Sequence, residues 1–286
     1  MDYVISTTKA VLLYNSDSGK VRCLHRDAGL YYGITWTPEF LLCASRPGLM
    51  DINGATIHVF NRQLEHVKDV FLPQVVDLHQ IYCHQNELWV ASSGHDCFWV
   101  YEVNDFSPKY QFCPVLSATL GVADSHHFNS VLISDGRIYT LAHNRHAGSF
   151  VCVHDYQTRD FIERHEGLGF QSHNLWPTQD KGLVVLNSGE SALNSLLQGN
   201  FLSLSDWGSV FPRGLAVTHG AVAIGLSPFE ADAEKRVHGM SKIAVAKADL
   251  SNLHIVELGA FGSVYEVRAI GELDQCHPSS VFSPTL

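Results

Sequence analysis

The feature that most limits what this chain can fold into is a two-strand unit that returns at nearly constant spacing. Each copy has a polar start, a short apolar strand, a tight turn, a second apolar strand and a small or polar exit, which is hairpin chemistry. Five copies are read: Tyr32 to Trp36 leading to Leu41 to Ser45, His79 to Tyr82 leading to Leu88 to Gly94, and Asn129 to Leu132 leading to Ile138 to Asn144. The other two are Asn174 to Trp176 leading to Leu183 to Gly189, and Arg213 to Ala216 leading to Val222 to Ser227. Their starts step by 47, 50, 45 and 39 residues, the period of a four-stranded propeller blade.

Most units are followed by further strand-like sequence, such as Cys97 to Val103 and Ser149 to His154, so outer strands are available. The N-terminal strands Tyr3 to Thr7 and Ala10 to Tyr14 have no inner strand of their own, whereas Ser263 to Val267 is an inner strand near the other end. Pairing the two ends completes a sixth blade and removes the open sheet edges of an unclosed ring. The chain is therefore read as all-β, a six-bladed β-propeller with its ends pairing in one blade. The same spacing also admits five or seven blades. The fourth unit is short, so its outer strands are expected to be reduced, and 229–235 is the one stretch with the periodicity of a helical turn.

Composition narrows the class. No linker, like-charge run or low-complexity tract interrupts the 286 residues, so 1–286 is read as one domain. A formal net charge of -10 argues against nucleic acid or an anionic membrane as partner. No basic region followed by an apolar core opens the chain, and no apolar run approaches the roughly 20 residues of a membrane span, so a cytoplasmic location is expected. The seven cysteines are odd in number and never spaced C-x-x-C, which fits reduced, mostly buried thiols.

In a propeller the innermost strand runs along the channel and the next returns antiparallel beside it, so first-strand starts and second-strand ends meet at one rim. The polar residues fall at those places. First-strand starts supply Asp77, His79, His126, His127, Asn129, His173, Asn174 and Arg213, with Tyr32 as their counterpart in the first unit; second-strand ends supply Arg46, His143 and Asn144. Neutral imidazole is a good ligand for divalent transition metals. His79, His127, His143 and His173 are thus the candidate ligands of a divalent metal ion. Asp77 and Arg213 are assigned to catalysis, Asp77 by supporting a ligand and Arg213 by orienting an anionic group. Tyr32, Asn129, Asn174 and Arg213 are assigned to substrate binding. Histidines off the repeat, including His25, His58 and His66, are read as surface or loop residues.

The repeat resembles the propellers that include the NHL-repeat proteins and streptogramin lyase. The pieces Asp77-Leu78-His79, Leu88-Trp89-Val90, Ser125 to Ser130 and Ser172 to Trp176 are more specifically similar to a bacterial family of propeller proteins without an assigned activity. The resemblance implies polar inner-strand starts around an axial pocket. Streptogramin lyase has seven blades and a magnesium site, so its chemistry is not carried over to a chain that offers six.

Two functions follow as expectations. The first is a metal-dependent enzyme, a lyase or hydrolase, acting on a small polar or saccharide-like substrate in the axial pocket. The second is a non-catalytic module whose rim binds a ligand or partner protein, with aromatics such as Tyr32 and Trp176 supplying contact area.

Overall fold

The computed structural model describes residues 1–115, 124–228 and 237–285. Among them the strands form six four-stranded antiparallel sheets, arranged as the blades of a propeller. Strands β1 (Asp2–Thr7), β2 (Ala10–Asn15) and β3 (Lys20–Arg26) are the outer three strands of blade 1. Blade 2 runs outward as β4 (Leu30–Trp36), β5 (Leu41–Arg46), β6 (Asn53–Phe60) and β7 (His66–Val76), and blade 3 as β8 (Leu78–His84), β9 (Glu87–Ser92), β10 (Cys97–Glu102) and β11 (Pro108–Phe112). Blade 4 holds β12 (Phe128–Ser134), β13 (Arg137–Ala142), β14 (Phe150–Asp155) and β15 (Phe161–His165); blade 5 holds β16 (His173–Thr178), β17 (Gly182–Asn187), β18 (Ala192–Ser195) and β19 (Gly199–Ser203). Blade 6 holds β20 (Val210–Val217), β21 (Ala221–Pro228), β22 (Ser241–Lys247) and β23 (His254–Gly259).

The ring closes as the sequence suggests. β24 (Val264–Ile270) pairs antiparallel with β1, Ile5 opposite Val267, and becomes the innermost strand of blade 1. The short fourth unit keeps outer strands of only 4 and 5 residues. The helical turn expected at 229–235 lies outside the described residues. No helix among the described residues is long and apolar enough to cross a membrane.

Middle strands are covered on both faces by neighbouring blades, and so β5 and β9 read as continuous buried runs without alternation. The outermost β3 is largely exposed and carries Lys20, Arg22 and Arg26, a polar edge that resists pairing with another chain. The hydrophobic core is accordingly a set of slabs between blades. Tyr82, Trp89, Phe98, Phe128 and Phe150 fill one between blades 3 and 4, and Val4, Tyr31, Ile34, Trp36 and Phe60 fill another between blades 1 and 2. Burial of each such side chain is worth about 1.5–3 kcal/mol.

The axis itself is polar. Every innermost strand carries a one-residue bulge, between Tyr31 and Ile34, Leu78 and Ile81, Phe128 and Ser130, Pro212 and Leu215, Val264 and Glu266, and, one residue further along its strand relative to the channel side chains, His173 and Trp176. A bulge re-aims side chains, and here consecutive residues line the channel. Tyr32, His79, Asn129, His173, Arg213 and Tyr265 line the axial cavity, and the residues that follow five of them, Gly33, Gln80, Ser130, Asn174 and Glu266, line it as a second layer. A Cβ on Gly33 would meet the Ile81 nitrogen at 2.3 Å, so the inner strands of blades 2 and 3 can approach only because that position is glycine.

Glu266 is the hub of this second layer. Its buried carboxylate accepts hydrogen bonds from Gln80 Nε2 (3.1 Å) and Asn174 Nδ2 (2.8 Å) and faces Arg268 Nη2 at 3.4 Å. Gln80 Oε1 in turn accepts the Val131 N–H (2.8 Å), and Asn174 Oδ1 accepts the Gly214 N–H (2.9 Å). One carboxylate on blade 1 thus reaches blades 3 and 5 directly and blades 4 and 6 through the two amides. Burial pushes its pKa up, against the opposing pull of Arg268 and the amide donors.

The opposite mouth is covered by the segment after β24. Asp274 accepts the N–H groups of Val217, Ala269 and Cys276. His277 Nε2 lies 2.6 Å from Thr35 Oγ1, its ring packs on Trp36 and Tyr82, and Gln275 accepts Trp176 Nε1–H at 3.1 Å. Trp176 is therefore engaged by this segment, while Tyr32 stands at the other, open mouth. Replacement Glu266→Leu leaves two amide donors and Arg268 without their acceptor and is expected to cost about 3–5 kcal/mol in urea unfolding. Glu266→Gln, which keeps the volume and one acceptor, should cost clearly less; equal losses would show that a single neutral acceptor cannot replace the carboxylate facing Arg268.

Candidate functional site

The open mouth is assembled from the turns that precede β8 and β12. Asp77 takes the left-handed conformation (φ 52°) just before β8, and His127 does the same (φ 55°) just before β12. His127 is placed by Asp96, a fully buried residue beyond the 3₁₀ turn at Ser93–His95 that follows β9. The Asp96 carboxylate accepts three consecutive backbone N–H groups, from Ser125 (2.6 Å), His126 (2.9 Å) and His127 (2.6 Å).

Hydrogen bonds then fix the protonation of the rings. His127 Nδ1 lies 2.8 Å from Asp124 Oδ1, and a carboxylate only accepts, so Nδ1 carries the proton and Nε2 a lone pair. That lone pair faces His79 Nε2 at 3.0 Å. Asp77 completes the group, with Oδ1 3.8 Å from His79 Nε2 and Oδ2 4.0 Å from His127 Nδ1. Donor atoms from Asp77, His79 and His127 all lie within 4.8 Å of one another.

His173 and His143 flank this group. Ser188 Oγ donates to the Pro212 carbonyl (2.6 Å), so it accepts from His173 Nδ1–H at 2.9 Å and leaves a lone pair on His173 Nε2. That Nε2 is buried and has no hydrogen-bond partner among the described residues. His173 also lines an axial cavity of about 20 Å³ beside His79 and Asn129, room for about one water molecule. His143 is different. The Arg145 backbone N–H points at its Nδ1 (3.2 Å), so its proton sits on Nε2. Its ring lies between His127 and His173, at centroid distances of 5.1 and 5.3 Å.

Charges frame the rings. Arg46 pairs with Asp77 and lies over the Tyr32 ring at 4.8 Å; Tyr32 stacks on Tyr265 at 4.3 Å; Arg213 lies over Tyr265 at 5.4 Å. Arg145 pairs with Asp124. Desolvation holds all four imidazoles below the usual histidine range, His79 and His173 well below it and His143 down to about 2, with neighbouring rings and Arg213 adding to the shift in His143 and His173. The rings are therefore neutral near pH 7, and three guanidinium groups face two carboxylates. The mouth, lined by Tyr32, Arg46, Asp77, His79, His127 and Arg213, encloses about 210 Å³.

The residues singled out in the sequence are thus distributed over two depths. Asp77, His79 and His127 share one point, His143 and His173 stand beside it, and Tyr32 and Arg213 form walls. Asn129 lines the channel and donates to the Ser172 carbonyl (2.9 Å), whereas Asn174 lies one residue deeper, bound to Glu266. Asp96, Asp124 and Tyr265 were not singled out as site residues. Tyr265 had a signal, since it occupies the bulge position in the sixth inner strand, and Asp124 stands three residues before His127. Asp96 had none, because its role depends on a loop brought from the next blade.

Each depressed histidine makes folding oppose protonation. Its stabilising contribution is complete above the unfolded-state pKa of about 6.5 and declines as pH falls towards the folded value, at about 1.4 kcal/mol per pH unit per ring. For His143 the window runs from about 6.5 down to about 2. Urea midpoints should therefore drop steeply from pH 6.5 to 5, and His143→Asn should show a shallower drop than the parent. A flat profile, or equal slopes, would contradict buried neutral rings.

No family model matches the sequence, and no curated protein matches it. Among solved structures, a protein of unknown function from Bacteroides caccae is similar over 95% of this chain and 99% of that one, at 13% identity and a TM-score of 0.62. A chain of a nidogen/laminin complex aligns over 93% of this chain and 97% of its own, at 9% identity and a TM-score of 0.59. The β-propeller domain of Myceliophteria thermophila Cps50 (Swd1) aligns over 94% and 82%, at 11% identity and a TM-score of 0.53. At such identities the likeness establishes the fold, a β-propeller, which hosts many unrelated functions.

Proposed function

We propose that the open mouth is the active site of a metal-dependent enzyme of lyase or hydrolase type, acting on a small anionic or saccharide-like substrate. The observation that carries this reading is the Asp77, His79 and His127 group, in which Asp124 fixes His127 as the Nδ1–H tautomer and turns its Nε2 lone pair towards His79. A carboxylate behind a metal-binding imidazole is a recurrent support that orients the ring and raises its basicity. Two imidazoles and one carboxylate suit divalent zinc, iron or manganese and leave coordination positions open. A divalent ion held there would polarise a carbonyl or lower the pKa of a water molecule.

The chain's own groups supply the rest. Arg213 and Arg46 present guanidinium donors to a carboxylate or phosphate. His173 Nε2 offers a lone pair that can accept a substrate proton, and His143 offers an N–H donor. The stacked Tyr32 and Tyr265 wall one side. A volume of about 210 Å³ is below the roughly 300–1,000 Å³ of pockets for drug-sized ligands, which favours a small substrate. A second reading, a binding module without catalysis, is favoured by the Tyr32–Tyr265 stack set between two arginines, an arrangement suited to recognising a planar or anionic group.

Metal analysis of protein purified without an affinity tag is expected to find an equivalent of divalent metal that is lost in His127→Ala. Asp124→Asn should weaken its affinity about 10–100-fold with the fold intact by circular dichroism. If His127→Ala holds as much metal as the parent, the enzyme reading fails and the binding module stands.

A further inference from the structure

A second group of imidazoles lies far from the axis, where blades 1 and 2 meet at the outside of the ring. His25 comes from β3, His58 from β6, and His66 and Asp69 from β7. Donor atoms of the three histidines lie within 4.8 Å of one another, and the His25 ring lies 4.7 Å from His58 and 4.6 Å from His66. Asp69 Oδ1 is 2.7 Å from both His58 Nδ1 and His66 Nε2.

The donor count at His58 is the informative part. Ser45 Oγ lies 2.9 Å from the Ala28 carbonyl, which can only accept, so the one Ser45 hydroxyl proton is spent there. Ser45 Oγ, 2.8 Å from His58 Nε2, must therefore accept from an Nε2–H. A neutral His58 is then left with a lone pair on Nδ1 pointing at a carboxylate oxygen 2.7 Å away. Two lone pairs in contact repel, and the contact becomes favourable only with a cation between them. A divalent ion shared with His25 and His66, whose donor atoms lie within 4.8 Å of those of His58, is such a cation, and His58 is almost fully buried beside them. His25 Nδ1 lies 2.8 Å from Tyr31 Oη, a hydroxyl that can accept as well as donate, so His25 can take the Nδ1–H tautomer with Nε2 as the ligand atom, and His66 is partly exposed, so solvent ions reach the group.

We propose that His25, His58, His66 and Asp69 form a second divalent-cation site, zinc first, that fastens blade 1 to blade 2. Three imidazoles and one carboxylate are a complete tetrahedral set for zinc. The site has no open position once filled, which marks it as structural. It would tie the outermost strand of the blade that joins the chain ends to the neighbouring blade. The axial reading is not required for it.

The test is calorimetric titration of the full chain with Zn²⁺, paired with thermal unfolding, in the parent, His66→Asn, His25→Asn and His127→Ala. His66→Asn and His25→Asn should each lose one binding event that His127→Ala retains. Saturating Zn²⁺ should raise the Tm of the parent and of His127→Ala by roughly 5–10 °C, and that of His66→Asn by less than half as much. With Co²⁺ in place of zinc, His127→Ala should show the visible absorption of a four-coordinate site, absent when His66→Asn is added. His66 is at the surface, so its replacement should leave the fold intact without metal. If His66→Asn and His25→Asn titrate and melt like the parent, the proposal is overturned, whatever happens at the axis. If instead only His127→Ala behaves like the parent, the axial site fails and this one stands.

Discussion

The carboxylate of Glu266 is the constraint around which the centre of this molecule is organised. Six inner strands converge on the axis, too close for large apolar side chains at every position, and a polar filling has to be satisfied internally. Glu266 does so by accepting from amides on two other blades, and those amides accept backbone N–H groups from two more. The apolar slabs between blades supply the bulk of the burial. The hub sets the blades in register at the axis, where hydrophobic packing has no direction of its own.

The open mouth inherits that register. His79 and His173 lie one residue before Gln80 and Asn174, which Glu266 holds, so a shift of β8 or β16 along the axis would move His79 or His173 with it. The bulges explain how consecutive residues can both face the channel, which regular strand alternation forbids. Asp96 adds a lateral constraint by capturing three successive N–H groups before β12, and Asp124 adds an angular one by holding His127 Nδ1. Asp274, Gln275 and His277 cover the opposite mouth, and the concentration of neutral rings and guanidinium groups lies at the other end.

Much of this was legible in the chain. Hairpin pairs at a spacing of 39 to 50 residues located the five inner strands, and the unpaired strands near both ends implied the sixth blade. His79, His127, His143 and His173 were legible because blade periodicity converts distance in sequence into proximity at one rim. Asn174 marks the limit of that reading: one residue of register separates the mouth from the Glu266 layer, and a bulge cannot be seen in a hydrophobic pattern. His25, His58 and His66 escaped because they belong to outer strands of two different blades, where the repeat predicts no convergence.

The sequence by itself determined the all-β class and pointed to end-to-end closure, because these follow from apolar runs and turn residues that act locally and from the rule that open sheet edges must be paired; its spacing admitted five, six or seven blades, and the sheet pairing decided six. Only the tertiary structure decided which polar groups share protons. The tautomers of His127, His143 and His173 are set by Asp124, the Arg145 N–H and Ser188, and that of His58 by a serine whose only proton is already given to a carbonyl. Those are contacts of two or three ångströms, and a repeat read to the nearest residue resolves nothing finer than a strand spacing.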